Sequence, residues 1–232
     1  MPEPVILLDD LTKEFPTDPP VRALSAINLR VERSDYVAIV GPSGSGKSTL
    51  LNMLGLLDRP TSGSYRLDGI ETTMLKDSAR TTVRGSRIGF VFQSFHLLPH
   101  RSVLENVMLA EVYGGGSRKG RRERALRALE RVRLSHRVEF LPGRMSGGER
   151  QRAAIARALM GEPALLLCDE PTGNLDSKNT DAVLDLFDDL RAQGMTIVVI
   201  THENEVSERA ARRVRITDGT LAEEEMCTRA TC

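Results

Sequence analysis

The sequence has few of the residues that would mark a secreted, membrane-spanning or nucleic-acid-binding chain. It contains three cysteines, at positions 168, 227 and 232, and this odd number at wide spacings excludes a disulfide framework. No run approaches about 18 consecutive apolar residues, so no membrane span is expected. The 32 Lys and Arg residues balance 32 Asp and Glu residues, which favours neither nucleic acid nor anionic lipid as a partner. The first ten residues lack the basic start and apolar stretch of a signal peptide, so a cytosolic chain is expected.

The most specific signal lies in nine residues near the start of the chain. Residues 41–49 read Gly-Pro-Ser-Gly-Ser-Gly-Lys-Ser-Thr, between an apolar strand pattern and an apolar helix pattern. Glycines let backbone N–H groups approach phosphates without Cβ clashes, and the following helix N-terminus favours the same anion. Lys47 would contact the β- and γ-phosphates, and the Ser48 hydroxyl is placed to bind Mg²⁺. We predict a nucleoside triphosphate site formed by Gly41, Ser43, Gly44, Ser45, Gly46, Lys47, Ser48 and Thr49.

A second signal is a pair of carboxylates after an apolar run. Residues 164–168 predict a buried strand, and Asp169 and Glu170 follow it directly. Ligand-contacting groups collect at the carboxyl ends of strands in α/β sheets. Asp169 is expected to hold Mg²⁺ together with Ser48, and Glu170 to act as general base on the attacking water. Alone, the pair could be a solvated turn, but the upstream phosphate loop favours the functional interpretation.

A third signal is Met-Ser-Gly-Gly-Glu at residues 145–149, which opens a helix pattern that continues to about residue 160. A hydroxyl and free amides at a helix start form a second candidate anion site. Ser146 and Glu149 also match a capping box, in which the serine does no more than cap the helix. The pattern alone leaves both interpretations open.

The rest of the chain alternates between strand and helix patterns. Strands are predicted at 5–8, 27–31, 36–40, 64–67, 88–92, 164–168, 196–200 and 214–217, and helices at 47–57 and 179–193. The strands at 164–168 and 196–200, with one helix between them, predict a parallel βαβ unit. Helix patterns, broken by Gly114-Gly115-Gly116 and Pro142-Gly143, fill residues 102–160 or so. We predict an α/β core with a helical insert at about 94–160 and a flexible tail at 224–232.

In order and spacing, these motifs resemble the ATP-binding subunit of an ABC transporter, over roughly residues 4–221. The matching segments are 41–49, Gln93 after a strand, the signature segment 145–149, residues 165–176, and Thr201-His202. The resemblance implies a P-loop NTPase core with a mixed sheet, an N-terminal antiparallel β region and a helical insert. It also implies that residues 1–223 form one ABC ATPase domain that hydrolyses ATP, with Mg²⁺, to ADP and phosphate.

The resemblance also explains why one chain has two anion sites. In that family two subunits pack head to tail, and each ATP lies between the phosphate loop of one subunit and the signature segment of the other. By resemblance, Ser146, Gly147 and Gly148 contact the γ-phosphate across this interface. Asp176 would cross the interface and couple the two sites.

Three further site residues follow from the resemblance alone. Gln93 would reach the Mg²⁺ ion or the attacking water, and His202 would contact the γ-phosphate and stabilise the transition state. Phe15 would stack on the adenine ring, although a core or hinge aromatic is the alternative.

Details of the sequence resemble one subgroup of the family, which contains lipoprotein-release, macrolide-export and antimicrobial-peptide-resistance ATPases and the cell-division ATPase FtsE. The supporting segments are 22–24, 89–99 and 171–176. Met145 stands where Leu is commoner, and residues 140–144 differ from the loop of fused exporters. The subgroup implies an integral-membrane permease of the mechanotransmission type as partner, at the cytoplasmic face of the cell membrane. The apolar segment 95–107 would receive the coupling helix of that permease, unless it only packs on the core.

Two other functions fit the same motifs. One is the ATPase of an ABC importer, and the other is a soluble ABC ATPase that acts on nucleic acid. The second is disfavoured because 232 residues leave no room for tandem nucleotide domains or long inserts. Residues 117–133 hold eight Arg or Lys and two Glu, but no aromatic side chains for base stacking. A solvated helix face, with Ala125, Leu126, Leu129 and Val132 as its apolar side, is therefore expected and no nucleic acid partner.

Overall fold

The computed structural model describes residues 3–113 and 119–224. The predicted glycine break at 114–116 and residues 225–232 of the predicted tail lie outside the described residues. The strands are β1 (Ile6–Phe15), β2 (Val21–Val31), β3 (Tyr36–Val40), β4 (Ser62–Leu67), β5 (Ile70–Glu71), β6 (Ile88–Phe92), β7 (Leu165–Asp169), β8 (Thr196–Ile200), β9 (Arg212–Thr217) and β10 (Thr220–Glu224). The α-helices are α1 (Lys47–Leu54), α2 (Asp77–Arg87), α3 (Val103–Tyr113), α4 (Arg121–Arg131), α5 (Gly147–Leu159), α6 (Ser177–Ala192) and α7 (Asn204–Arg209).

The larger sheet brings the phosphate loop and the carboxylates to one edge. Its strand order is β10-β9-β3-β8-β7-β6, and only β10 runs antiparallel to its neighbour. All residues of β3 and β8 are buried, as expected for parallel strands covered on both faces. The predicted parallel βαβ unit is confirmed, since β7 and β8 are paired and α6 connects them. Because parallel strands end at the same edge, the residues that follow β3, β7 and β8 lie together there.

The smaller sheet is the N-terminal antiparallel region that the family resemblance implied. Its order is β2-β1-β4-β5, with antiparallel pairing throughout. Its buried side chains, such as Leu8 and Leu29, share one apolar cluster with α1 and with Val37 and Ile39 of β3. The fold is therefore a mixed α/β fold in which α1 lies between the two sheets.

The other face of the larger sheet is covered by helices. Side chains of α3, α4, α5 and α6 form a second apolar cluster with alternate residues of β3, β7 and β8. Within the described part of the chain, residues 93–164 contain helices and loops and no strand. None of the helices that the structure describes has the length and hydropathy needed for a bilayer crossing.

The structure corrects several element bounds. Helix α1 ends at Leu54 rather than at residue 57, because Gly55 packs against Phe90 and Leu56 adopts a left-handed backbone with φ of 54°. Strands β1 and β2 extend beyond 5–8 and 27–31, while α2, α7, β5 and β10 were not predicted. On α4, Leu126 is partly exposed and Ala128 is buried in its place.

Candidate nucleotide-binding site

The phosphate loop connects β3 to α1 at the edge of the larger sheet. Gly44 and Gly46 have φ angles of 81° and 105°, a left-handed conformation that glycine adopts without steric cost. A Cβ atom on Gly46 would lie 2.6 Å from the carbonyl oxygen of Ala23, so no side chain fits there. No described side chain caps the start of α1, which leaves its first N–H groups available to an anion.

The side chains of Lys47 and Ser45 differ in their contacts within the loop. The Lys47 Nζ atom donates to the carbonyl oxygens of Gly41 and Pro42, each at 2.7 Å, so its ammonium group lies over the loop. Ser45 is buried, and its Oγ atom has no hydrogen-bond partner among the described residues. The Gly219 N–H donates to the carbonyl oxygen of Ser45 at 3.0 Å, which fixes the loop against the β9–β10 turn.

An open groove of about 550 Å³ lies over the loop. Of the predicted site residues, it collects Gly41, Ser43, Gly44, Gly46, Lys47, Ser48, Thr49, Glu170 and His202. Ala23 and Pro42, which were not among the predicted site residues, complete its lining. The other predicted residues do not line it: Phe15, Ser45, Gln93, Ser146, Gly147, Gly148, Asp169 and Asp176.

Glu170 projects from the residue after β7 and is held by the chain that follows β8. Its Oε2 atom accepts from the Thr201 hydroxyl at 2.9 Å, and its Oε1 atom lies 2.6 Å from Nδ1 of His202. Hydrogen bonding to Glu170 and its negative charge raise the pKa of His202. A carboxylate held this way at a phosphate groove can accept a proton from a water molecule. Thr201 is a missed site residue whose only signal was its position before His202.

Asp169 ends β7 beside Glu170. Burial, together with the neighbouring Glu170 carboxylate, raises the pKa of Asp169, and Lys47 opposes this shift. In the described residues no cluster of three or more acidic, His or Cys side chains could cage a metal ion. Mg²⁺ commonly binds through one or two protein oxygens together with substrate phosphates. The exposed Ser48 hydroxyl and the Asp169 carboxylate fit that kind of binding.

Gln93 and Phe15 lie outside the groove. Gln93 follows β6, and its carbonyl oxygen accepts from Nδ2 of Asn174 at 3.0 Å. A Cβ atom on Gly173 would lie 2.7 Å from Nε2 of Gln93, so the side chain packs beside the segment that follows Glu170. Phe15 ends β1, with the Lys13 ammonium 5.0 Å from its ring centroid.

The signature segment forms the start of α5. Ser146 Oγ accepts from the Glu149 N–H at 3.1 Å, and Glu149 Oε2 accepts from the Ser146 N–H at 2.9 Å. The predicted capping box is therefore present. Burial would raise the pKa of Glu149, but hydrogen bonds from Ser146 and Arg137 outweigh burial and lower it.

The start of α6 packs directly against the start of α5. Asp176 caps α6 by accepting from the Asn179 N–H at 2.9 Å, and it also accepts from Nδ2 of Asn179. A Cβ atom on Gly148 would lie 2.2 Å from Oδ1 of Asn179. Asp176 therefore sets the position of Asn179 against the signature segment within one chain.

This combination of fold and site defines a class of protein. A glycine-rich loop between a buried parallel strand and a helix, with carboxylates at the end of a neighbouring strand, is the phosphate site of a P-loop ATPase.

Comparison with known proteins identifies the family. The family model described as ABC transporter matches residues 24–173. The uncharacterized ABC transporter ATP-binding protein YvrO of Bacillus subtilis is 51% identical over 205 residues, covering 88% of this chain and 90% of that protein. The macrolide export ATP-binding/permease protein MacB of Burkholderia thailandensis is 46% identical over 95% of this chain. The chain spans 34% of the length of that MacB.

A solved structure supports the same assignment. The ATP-binding cassette MJ0796, in a dimeric post-hydrolysis state bound to ADP and Pi, superposes with a TM-score of 0.83 at 40% identity, covering 94% of this chain and 97% of that chain. The chain belongs to the ABC transporter family. It is an ATP-binding subunit of such a transporter and an ATP hydrolase.

Proposed function

We propose that the chain powers a membrane permease by closing as a head-to-tail homodimer on ATP and reopening after hydrolysis. The observation that carries this proposal is the separation of the two anion sites. The groove holds the phosphate loop, Glu170 and His202, whereas Ser146 at the start of α5 does not line it. A second copy packed head to tail can place its own α5 N-terminus over the γ-phosphate. ATP that contacts both subunits binds the closed dimer better than the open one and so drives closure.

Within each site we assign roles by position. Gly41–Thr49 bind the phosphates of ATP, and Ser48 and Asp169 hold Mg²⁺. Gln93 contacts the Mg²⁺ ion or the attacking water. When bound, Mg²⁺ neutralises charge on the β- and γ-phosphates. Glu170 removes a proton from the attacking water, and His202 contacts the γ-phosphate. Phe15 stacks on adenine, and Asp176 reaches the second subunit.

A second groove supplies a surface for the permease. It has a volume of about 720 Å³ and lies between α2, β6, α3 and α5. Its floor includes Phe90 and Phe92, whose rings stack at 5.5 Å, and charged groups at its edges include Arg84 and Glu111. His96 from the predicted segment 95–107 lines it as well. An apolar floor with charges of both signs fits an amphipathic helix of a protein partner.

Export or release by mechanotransmission is favoured over import because the MacB relatives are named as macrolide exporters. On this proposal the permease is an integral-membrane protein, and it holds the chain at the cytoplasmic face of the cell membrane. No nucleic acid partner is proposed.

Trapping the closed dimer tests the proposal. Tagged Glu170→Gln protein is incubated with ATP and purified from detergent-solubilised membranes, beside Lys47→Ala as the nucleotide-binding control. We expect an ATP-dependent dimer that carries a permease with few membrane spans and a large extracytoplasmic domain. A permease with many spans would instead indicate an importer. Folded, ATP-bound protein without any membrane partner would contradict the transport function.

A further inference from the structure

Arg157 of α5 joins the second groove to the loop that carries Gln93. Its Nη1 atom donates to the carbonyl oxygen of His96 at 2.5 Å, and its Nη2 atom donates to that of Phe95 at 2.9 Å. Arg157 and His96 both line the groove. The two carbonyl groups lie only two and three residues after Gln93, so a displacement of the guanidinium group would also displace this loop.

Helix α5 also holds the loop from other directions. The Gln151 Nε2 atom donates to the carbonyl oxygen of Phe92 at 3.4 Å and to that of Pro171 at 2.6 Å. The guanidinium group of Arg150 lies 5.0 Å from the ring centroid of Phe95. The backbone is therefore bonded to one helix both before and after Gln93, and that helix begins with the signature segment.

The Arg157 guanidinium group contacts backbone carbonyl groups. Among the described residues no carboxylate forms an ion pair with it, whereas Glu111 in the same groove pairs with Arg124 of α4. His96 has a left-handed backbone with φ of 49°, a conformation that persists only where surrounding contacts enforce it. The two carbonyl groups compensate the half-buried guanidinium charge, and the guanidinium group in turn holds the loop in this conformation.

We propose that Arg157 is a positioning residue that holds Gln93 in place for hydrolysis. We also propose that a permease bound in the second groove acts on the nucleotide site through Arg157. A permease carboxylate that enters the groove would compete with the two carbonyl groups for the guanidinium group and so shift the loop. This second part rests on the proposed function, because it needs a permease in the groove. The action of Arg157 on Gln93 does not depend on a permease.

A double-mutant cycle on the full chain, without permease, tests that action. ATP hydrolysis is measured for the wild type, Arg157→Ala, Gln93→Ala and the double variant. We expect Arg157→Ala to lower kcat by about five- to tenfold with KM for ATP changed less than about twofold, because the phosphate loop is untouched. The double variant should match Gln93→Ala to within about twofold, since residues that act through one another are not additive.

Arg157 would not act through Gln93 if the two losses multiplied in the double variant, or if Arg157→Ala kept the wild-type kcat. Arg122→Ala is the matched control and should retain wild-type kcat, because it removes an exposed arginine of α4 that pairs with Glu139. If Arg157→Ala does not fold, the cycle is run with Arg157→Lys. Lysine keeps the charge but lacks the planar fork that bonds two carbonyl groups. The two proposals can fail separately. If the double-mutant cycle gives the expected result but no permease is recovered from membranes, the proposed function is overturned and the role of Arg157 remains.

Discussion

Glu170 and His202 are joined side chain to side chain, with 2.6 Å between Oε1 and Nδ1. His202 is 70% exposed, while the Glu170 side chain is only 16% exposed. The glutamate is therefore fixed by the Thr201 hydroxyl on one oxygen and by an accessible imidazole on the other. In the proposed roles of these residues, the γ-phosphate would draw the imidazole away and leave the carboxylate free for water.

The pairing predicts the titration of His202. Because hydrogen bonding to Glu170 and its charge favour the protonated ring, the pKa of His202 should lie above its ordinary value in the nucleotide-free chain. The attraction between the charged ring and the carboxylate is present below that pKa and is lost as the pH rises through it. An NMR titration of the imidazole should show this, and Glu170→Gln should lower the pKa. An unchanged titration in that variant would show that Glu170 is not the cause.

Replacing the carboxylate of Glu170 should stop turnover without loss of ATP binding. We expect Glu170→Gln to hydrolyse ATP at least about 100-fold more slowly, because an amide cannot accept the proton from water. Nucleotide affinity, measured with a fluorescent ATP analogue, should remain because the phosphate loop is unchanged. Glu203→Gln is the matched control, since Glu203 accepts from Thr172 at 2.6 Å and does not line the groove. Wild-type turnover by Glu170→Gln would contradict its assignment as the base.

Much of the larger sheet could be predicted because β3, β6, β7 and β8 are short and almost wholly apolar. Residues 36–40, 88–92 and 196–200 were predicted with the bounds that the structure shows, as continuous apolar runs are typical of parallel strands buried on both faces. The smaller sheet was only partly predicted. Strand β1 carries the half-buried polar residues Lys13 and Glu14, and register shifts interrupt its pairing with β2.

Helix α2 was missed because arginines occupy its inward side. Its buried residue is Arg80, and both Arg80 and Arg84 donate to backbone carbonyl groups just after α1. A helix that is fixed by guanidinium groups shows no apolar stripe in the sequence. The contacts of Arg157 and Gln151 with the Gln93 loop were hidden for a related reason, since they join residues about 60 positions apart.

Substitutions can separate the helix cap formed by Ser146 from its proposed contact with the γ-phosphate. Ser146→Ala removes the cap of α5 and should lower the free energy of unfolding by about 1 kcal/mol. Ser146→Asp restores a capping oxygen, so its melting temperature should stay near that of the wild type. Its negative charge, however, would repel the γ-phosphate of the partner subunit. We expect both variants to lose ATP-dependent dimerisation in the Glu170→Gln background, measured by light scattering. Normal dimerisation by Ser146→Asp would reduce Ser146 to a helix cap.

Gly148 is the position where the signature segment is packed most tightly, so the smallest substitution tests it. In Gly148→Ala the new methyl group would meet Oδ1 of Asn179 at 2.2 Å, and either α5 must shift or Asn179 must leave Asp176. The phosphate loop is unaffected, so one chain should bind ATP as before, while the dimer closes poorly and turnover falls about tenfold or more.

Gly143→Ala is the matched control, because a Cβ atom at Gly143 meets nothing within 4 Å and the residue lies in the turn just before the same helix. It should retain wild-type turnover. Asn179→Ala in the Gly148→Ala background removes the clashing group, and it should restore part of the lost activity if the clash is the cause. Equal loss in Gly148→Ala and Gly143→Ala would mean that the segment responds to any added methyl group rather than to its contact with α6. Loss of ATP binding by the isolated Gly148→Ala chain would show that the two anion sites are coupled within one subunit.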